Sequence, residues 1–309
     1  MSNVKRKIVT VPVATLWTTS ESPREIDSAA ITNPANVKEW LKNLTHDQLL
    51  DFYNSNRVQT QILFGQEVIV LEENEYWTHV AIPEQFSSKN QLGYPGWVPS
   101  CQLADAAVEF QHSKTFAAVT SKNAMLYSRN QESLLEISYE TVLPVQKEDG
   151  EKVYVDTPIG PCYLSSTDVE VFSSAKGRRK GNGTDIVSAG KKFIGLPYLW
   201  GGMSSFGYDC SGFSYSICKA NGYVIPRDAH EQAAKGLKVE LDSLEPGDLL
   251  FFAYEEGKGS IHHVGIYYGE GQLLHSPKTG KSVEIVQLSG MEYEKELCAA
   301  RRYWKASEE

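Results

Sequence analysis

The chain has 309 residues, 41% of them hydrophobic, and a formal net charge of −9. That content fills folded cores and excludes a disordered polymer, and the length predicts two or three domains. The acidic balance leaves no broad basic surface, so no nucleic acid or anionic wall polymer is expected as a tight partner, and a small or soluble substrate is.

The five cysteines, Cys101, Cys162, Cys210, Cys218 and Cys298, are odd in number and lack a Cys-x-x-Cys pair, which excludes a disulfide framework or a zinc ribbon. Cys210 and Cys218 on one helix would lie about 12 Å apart, too far to bridge. No stretch is long enough to span a bilayer, and no membrane partner is expected. After Lys5-Arg6-Lys7 the sequence alternates as a strand rather than entering an apolar signal segment. This predicts a cytoplasmic chain as written; one trimmed of its signal would read the same and be secreted or wall-associated.

Taken in order, Ile8 to Leu16 alternates as a strand, and an insertion follows with two short helices. The first starts near Pro34 and Asn36, and the second is capped by Thr45. Residues 66–71 and 76–82 predict a hairpin, and the Gly/Pro-rich stretch Gly93 to Pro99 leads to a short closing element at 100–103. A second region, about 110–172, repeats this order: strands over 122–127, 141–147 and 152–157, a turn at Glu148-Asp149-Gly150, then 160–164 and a one-turn element at 165–168. Five short strands with a tight hairpin predict a small half-open barrel. Both regions, 8–105 with its helical insertion and 110–172, resemble bacterial SH3-like domains. Residues 173–184, rich in Ser, Gly, Lys, Arg and Asn, read as the linker, with Arg178-Arg179-Lys180 as a solvated run.

Beyond the linker the pattern becomes α+β. Thr184 or Asp185 is expected to cap a helix running through Ile186, Ala189 and Phe193, and Gly195-Leu196-Pro197 stops it. The glycine-rich loop from Gly201 then delivers Cys210 to the first turn of another helix, whose free amides Asp209 or Ser211 can cap. A helix start favours negative charge, so a thiol there is expected to ionise more readily than a free one. Strands follow over 249–252, 262–268, 272–276, 283–287 and 299–303.

Nucleophilic catalysis by a thiol needs an imidazole to accept and return its proton and a third group to orient that imidazole. The strand histidines are the candidates, and adjacent strands about 4.8 Å apart let side chains of two of them bond across the pair. A lone strand histidine is more often structural, and the strand period leaves His262 and His263 equivalent. A zinc site from Cys210, His262, His263 and His275 is the alternative, disfavoured because adjacent strand residues point to opposite faces and the usual ligand spacing is missing. No metal and no cofactor is expected.

The runs Tyr198-x-Trp200-Gly201-Gly202, Asp209-Cys210-Ser211-Gly212-Phe213, Pro226-Arg227, Pro246-Gly247-Asp248-Leu249, His263-Val264-Gly265-Ile266-Tyr267 and Leu274-His275 stand in the order and spacing of the NlpC family of papain-like cell-wall peptidases. This resemblance covers about 185–305. It implies a multidomain fold of two all-β SH3-like barrels followed by an α+β papain-like cysteine peptidase domain. It also selects His263 over His262, with Cys210 as nucleophile, His263 as general base and acid, and His275 as the orienting group. Tyr198 and the amide of Cys210 or Ser211 would lie near the developing oxyanion.

The whole chain is similar to γ-D-glutamyl-L-diamino acid endopeptidases, which cut the bond between γ-D-glutamate and lysine or diaminopimelate in murein peptides whose L-alanine carries a free amine. The implied partner is therefore a murein tripeptide or longer stem peptide, met in peptide degradation or recycling. Asp209, Ser211, Tyr198 and Trp200 are the implied substrate-binding residues, with Asp209 as the partner of the ammonium. Tyr94 joins them as the candidate from the first SH3-like domain, which is expected to narrow the cleft. The competing readings are an acyl- or amide-transferring enzyme with the same Cys/His/His set, and a non-catalytic wall-binding module.

Overall fold

The computed structural model describes residues 5–106 and 113–305, so the expected start of the second barrel at 110 lies outside the described residues. The chain divides into two compact units. One runs to Gly177 and includes Met203–Phe206; the other comprises Arg178–Gly202 and the chain from Gly207 onward.

The first unit holds two seven-stranded antiparallel sheets. In the first sheet the strands are β1 (Arg6–Val9), β2 (Val13–Trp17), β3 (Val58–Leu63), β4 (Glu67–Glu73), β5 (Trp77–Ile82), β6 (Tyr94–Pro99) and β7 (Leu103–Asp105), in the order β3-β2-β6-β5-β4-β1-β7. The second holds β8 (Thr115–Val119), β9 (Asn123–Ser128), β10 (Ser133–Ser138), β11 (Val142–Asp149), β12 (Lys152–Val155), β13 (Cys162–Ser165) and β14 (Val169–Ser173), in the order β10-β9-β13-β12-β11-β8-β14. Subtracting seven from each label of the second sheet gives the first, so the two sheets share one topology. A curled run of short antiparallel strands around an apolar interior is the SH3-like barrel, here formed twice.

Each barrel has seven strands, where five were expected for the second. Strands β8 and β10 carry no clean alternation, and β14, half-buried along its length, joins β8 in a five-residue register. The expected single strand over Ile8 to Leu16 is two, because Pro12 cannot donate to a ladder and the chain turns there. The Gly/Pro-rich segment is strand β6 itself, paired with β5 from Ile82↔Tyr94 to Trp77↔Pro99. Between β2 and β3 lie helices α1 (Ser28–Ile31), α2 (Val37–Asn43) and α3 (His46–Asn54). Asn36 caps α2, and Thr45 with Gln48 forms a capping box on α3. They bury Trp40 and Phe52 against Trp17, with ring centroids 5.3 to 6.4 Å apart.

The second unit packs helices on one antiparallel sheet. Its strands are β15 (Leu237–Val239), β16 (Leu249–Ala253), β17 (Ile261–Gly269), β18 (Gln272–His275), β19 (Glu284–Gln287) and β20 (Leu297–Arg302), in the order β15-β20-β16-β17-β18-β19. Helix α4 (Gly183–Lys191) is capped by Asn182, and Asp185 closes the capping box from the third position, so the cap lies two residues earlier than expected. Helix α5 (Cys210–Ala220) rests on β17, and the unit also holds α6 (Ala229–Ala234), a one-turn segment at Tyr254–Gly257, and α7 (Glu292–Glu296). Phe213 on α5 meets Phe193 and Tyr208 in a fully buried aromatic cluster. Burial of each ring contributes about 1.5–3 kcal/mol, which fixes the start of α5 against the sheet. Among the described residues no helix is long and apolar enough to cross a membrane.

Candidate active site

Asp209 has extended backbone and accepts the Gly212 N–H at 2.6 Å, so Asp209, and not Ser211, is the cap of α5 and Cys210 its first residue. The cap carboxylate does more. Arg227 grips it with two N–H donors, 3.2 Å to Oδ1 and 2.7 Å to Oδ2, and also donates to the Ser211 hydroxyl at 2.8 Å. Ser211 in turn donates its hydroxyl hydrogen bond to Asp209 Oδ1 at 3.2 Å. Gln232 on α6 donates to the Ser211 and Pro226 carbonyls, which ties the Arg227 loop to the helix start. Arg227 is 1% exposed, so this is a buried, hydrogen-bonded ion pair.

Cys210 is buried beside this network. The backbone N–H groups of Val264 and Ser211 donate to its sulfur, and the Val264 contact sets the thiol against β17 next to His263. The expectation of an acidified thiol is not met. Burial pushes Cys210 up to about 12, the negative charge of Asp209 adds to the rise, and the two amides and Arg227 counter only part of it. The helix end exerts its pull, but a thiolate without water around it costs more.

His263 and His275 lie on neighbouring strands and meet edge to face, His263 Nε2 lying 2.8 Å from His275 Nδ1. Gly265 makes this approach possible, because a Cβ there would sit 2.9 Å from His275 Cβ and 2.7 Å from Leu273 Cδ1. Burial, and then the neighbouring His275 and His262, hold His263 well below the ordinary imidazole range; burial alone takes His275 down to about 4. Both rings are therefore neutral near pH 7. With Nε2 committed to His275, His263 has Nδ1 left for exchanging a proton with a thiol.

His262 is distinguished from His263 by geometry that the strand period does not contain. Phe252 pairs with His263 and Ala253 with Ile261, so His262 is the extra residue of a β-bulge. Its ring does not point to the opposite face, as the alternation predicts, but lies 6.4 Å from that of His263. It stacks on Tyr254 at 4.2 Å, and its Nε2 lies 3.2 Å from Glu296 Oε2 on α7. Among the described residues no group of three His, Cys, Asp or Glu side chains is arranged to hold a metal ion.

Tyr198 is buried, its amide bonded to the Lys281 carbonyl and its backbone bridged to Tyr208. Burial, with Cys210 and Asp209 next in effect, raises its hydroxyl well above the usual value, so it remains an O–H donor beside the thiol. Trp200 lies in the turn before Gly201 and is half-buried. Tyr94 belongs to the first unit, where it is buried on β6 with Lys89 bonded to its hydroxyl and set over its ring.

Two residues with no motif around them complete the site. Tyr293 on α7 stacks on His263 at 5.1 Å and meets His275 edge-on at 5.2 Å, and burial with the nearby Cys210 raises its hydroxyl to about 12. Glu284 stands opposite His275 in the β18–β19 register.

A thiol at the start of a helix packed on an antiparallel sheet that carries two hydrogen-bonded imidazoles is the arrangement of a papain-like cysteine peptidase. The profile of the NlpC/P60 family matches residues 195–302, and that of the YKFC SH3b2 domain matches residues 119–172. A γ-D-glutamyl-L-lysine dipeptidyl-peptidase of Bacillus subtilis is 47% identical over 291 residues, which cover 94% of this chain and 96% of the relative. A protein of the same name from Bacillus cereus is 40% identical, covering 96% and 91%. The crystal structure of an NlpC/P60 family protein from Bacillus cereus superposes with a TM-score of 0.93 at 40% identity, over 97% of this chain and all of that one. The chain belongs to the NlpC/P60 family of cysteine peptidases.

Proposed function

We propose that the enzyme removes an L-alanyl-γ-D-glutamyl dipeptide from murein peptides by cutting the bond between γ-D-glutamate and the L-diamino acid. The observation that carries this reading is near full-length similarity to two γ-D-glutamyl-L-lysine dipeptidyl-peptidases, joined to the Cys210, His263 and His275 constellation. The chemistry follows from the resting protonation. Because thiol and imidazole are both neutral, the proton leaves Cys210 for His263 Nδ1 as the sulfur attacks the γ-carbonyl carbon. The carbonyl oxygen becomes the oxyanion, which the Tyr198 hydroxyl and the Cys210 amide stabilise. His263 returns the proton to the departing amine, leaving a thioester. Water then attacks that carbonyl, His263 takes and returns a second proton, and the dipeptide leaves with a free γ-carboxylate.

The reading requires a free amine on the substrate's L-alanine. Asp209 enters this recognition with both its oxygens already engaged by Arg227. Soluble peptides fit better than polymeric wall, because the acidic chain and anionic wall polymers repel one another. The test is product analysis by mass spectrometry with L-Ala-γ-D-Glu-L-Lys, its diaminopimelate analogue, their N-acetylated forms and intact sacculi. Release of the dipeptide from the free tripeptides, with a ten- to hundredfold or greater drop in kcat/KM on acetylation (roughly 1.5–3 kcal/mol per charge-assisted bond), is expected. Equal cleavage of free and acetylated peptides would instead indicate an endopeptidase acting within long stems.

A further inference from the structure

The hydrogen bond between His263 and His275 dictates more than it contains. For His263 Nδ1 to receive a proton, Nε2 must carry the other, and that N–H donates to His275 Nδ1 across 2.8 Å. His275 Nδ1 is then an acceptor, so its own proton sits on Nε2. This second N–H is buried, and among the described residues it has no hydrogen-bond partner. Buried donors without acceptors are rare, and such a site at the end of a proton-transfer line points to a missing acceptor. The nearest carboxylate oxygen, Glu284 Oε1, is 4.0 Å away, outside bonding distance. Glu284 lies directly across the β18–β19 ladder from His275, and its side chain is 41% exposed, leaving it room to move inward by about an ångström, the excess over a bonding distance.

We propose that Glu284 is a positioning residue for the catalytic histidines: its carboxylate accepts the His275 Nε2–H, holds that ring in the one tautomer that can serve His263, and offsets the positive charge that develops on His263 during attack. This rests on the reading of Cys210 and His263 as the catalytic pair. The line runs Cys210 Sγ, His263, His275, Glu284, one member from α5 and one from each of the three consecutive strands β17, β18 and β19. When His263 holds the thiol proton, it is an imidazolium whose charge is shared through one hydrogen bond with His275 and through the next with a carboxylate. Without the acceptor, His275 is free to place its proton on Nδ1, where it would face the His263 N–H donor to donor.

The titratable groups around this line are few. His263 faces His275, Tyr293 and His262, with Cys210 beside Val264. His275 faces His263, Tyr293 and Glu284. Glu296 is engaged by His262, which leaves Glu284 as the carboxylate next to His275.

The test compares E284A and E284Q with C210A and the native enzyme. It uses kcat and KM across pH on the free tripeptide, and ¹⁵N NMR of the histidine rings in the full chain. E284A is expected to lower kcat by about ten- to a hundredfold, the range seen when a partner that orients a histidine is lost, with KM within about twofold. E284Q should retain part of the activity, because an amide oxygen still accepts. Both variants remove a negative charge, so the acidic limb of kcat/KM should move to lower pH, and the His275 spectrum should lose its pure Nε2–H signature in E284A. An unchanged kcat with an unmoved acidic limb, an effect on KM alone, or a His275 tautomer that persists in E284A would each overturn the proposal. Activity persisting in C210A would remove the underlying reading; an inactive C210A beside a fully active E284A would remove only Glu284.

Discussion

Two polar clusters meet at the start of α5, and nature has treated their charges in opposite ways. Asp209 and Arg227 are a buried ion pair in which the carboxylate accepts from the guanidinium, from Gly212 N–H and from Ser211. Next to it, Cys210, His263 and His275 are buried and neutral, with thiol and imidazole ionisation both displaced in the direction that suppresses charge. The first cluster is an ion pair with both carboxylate oxygens engaged, and it holds the loop and helix in place. The second is kept one proton transfer away from charge, so that charge arises only when the substrate supplies the electrophile. Pre-organisation and reactivity are thus divided between neighbours that differ by one position in the chain.

Removing a member of the neutral cluster should abolish chemistry without unfolding the protein. Cys210→Ala is expected to lower kcat/KM by about 10⁴-fold or more with an unchanged circular dichroism spectrum, and His263→Ala comparably. His262→Ala should be mild by comparison, because that ring serves α7. Hydrolysis at the native rate in Cys210→Ala, or a harsher loss from His262 than from His263, would erase the distinction. The charged cluster should fail in the reverse way. Arg227→Met leaves the Asp209 carboxylate buried with two donors fewer, and a loss of roughly 3–5 kcal/mol in urea unfolding is expected. Asp209→Asn is the complementary break, leaving Arg227 uncompensated, and it therefore reads stability before it reads amine recognition.

The neutral state of the imidazoles has its own signature in pH. The folded pKa of His275, about 4, lies below its unfolded value near 6.5, so between these limits the unfolded chain binds more protons. The contribution of this ring to stability is whole above about pH 6.5 and is lost as pH falls toward 4. It amounts to about 3 kcal/mol as an order of magnitude. His275→Asn should flatten the fall of melting temperature across that window, and an equal slope in native and variant would argue against burial of neutral imidazole. Alkylation of Cys210 by iodoacetamide should likewise be slow at pH 6 and climb above pH 8, where a pre-formed ion pair would give a plateau on the acid side. Smallest is the effect expected at the ring that covers both histidines. Tyr293→Phe keeps the stacking and should change kcat less than about threefold, whereas Tyr293→Ala admits water to the imidazoles and should raise the pH of the acidic limb.

The parts of the site that depend on neighbours in the chain were legible from residues alone. A glycine-rich loop and a capping aspartate place Cys210 at a helix start. What lay beyond reading depends on distant partners. Arg227 is 18 residues from Asp209 and meets it only after the chain has run along α5 and returned through residues 221–226. Glu284 reaches His275 through a strand register, and Tyr293 reaches both rings through a short helix without a motif. The displaced ionisation of Cys210 was misread because a helix end is local and burial is not. In the first unit, β8 and β10 escaped notice because their sequences do not alternate.

The bulge at His262 means that β17 carries one residue more than its partner needs. Parity in a strand decides which face each side chain takes, so the supernumerary position acts as a phase shift between Ile261 and His263. A substitution there alters a side chain that touches Tyr254 and Glu296. A deletion would restore an even ladder, with Ile261 next to His263 and still opposite Ala253, and would remove the ring that touches Tyr254 and Glu296. The supernumerary position thus brings a third imidazole within 6.4 Å of His263 while every other residue of β17 near it keeps its face and its partner on β16.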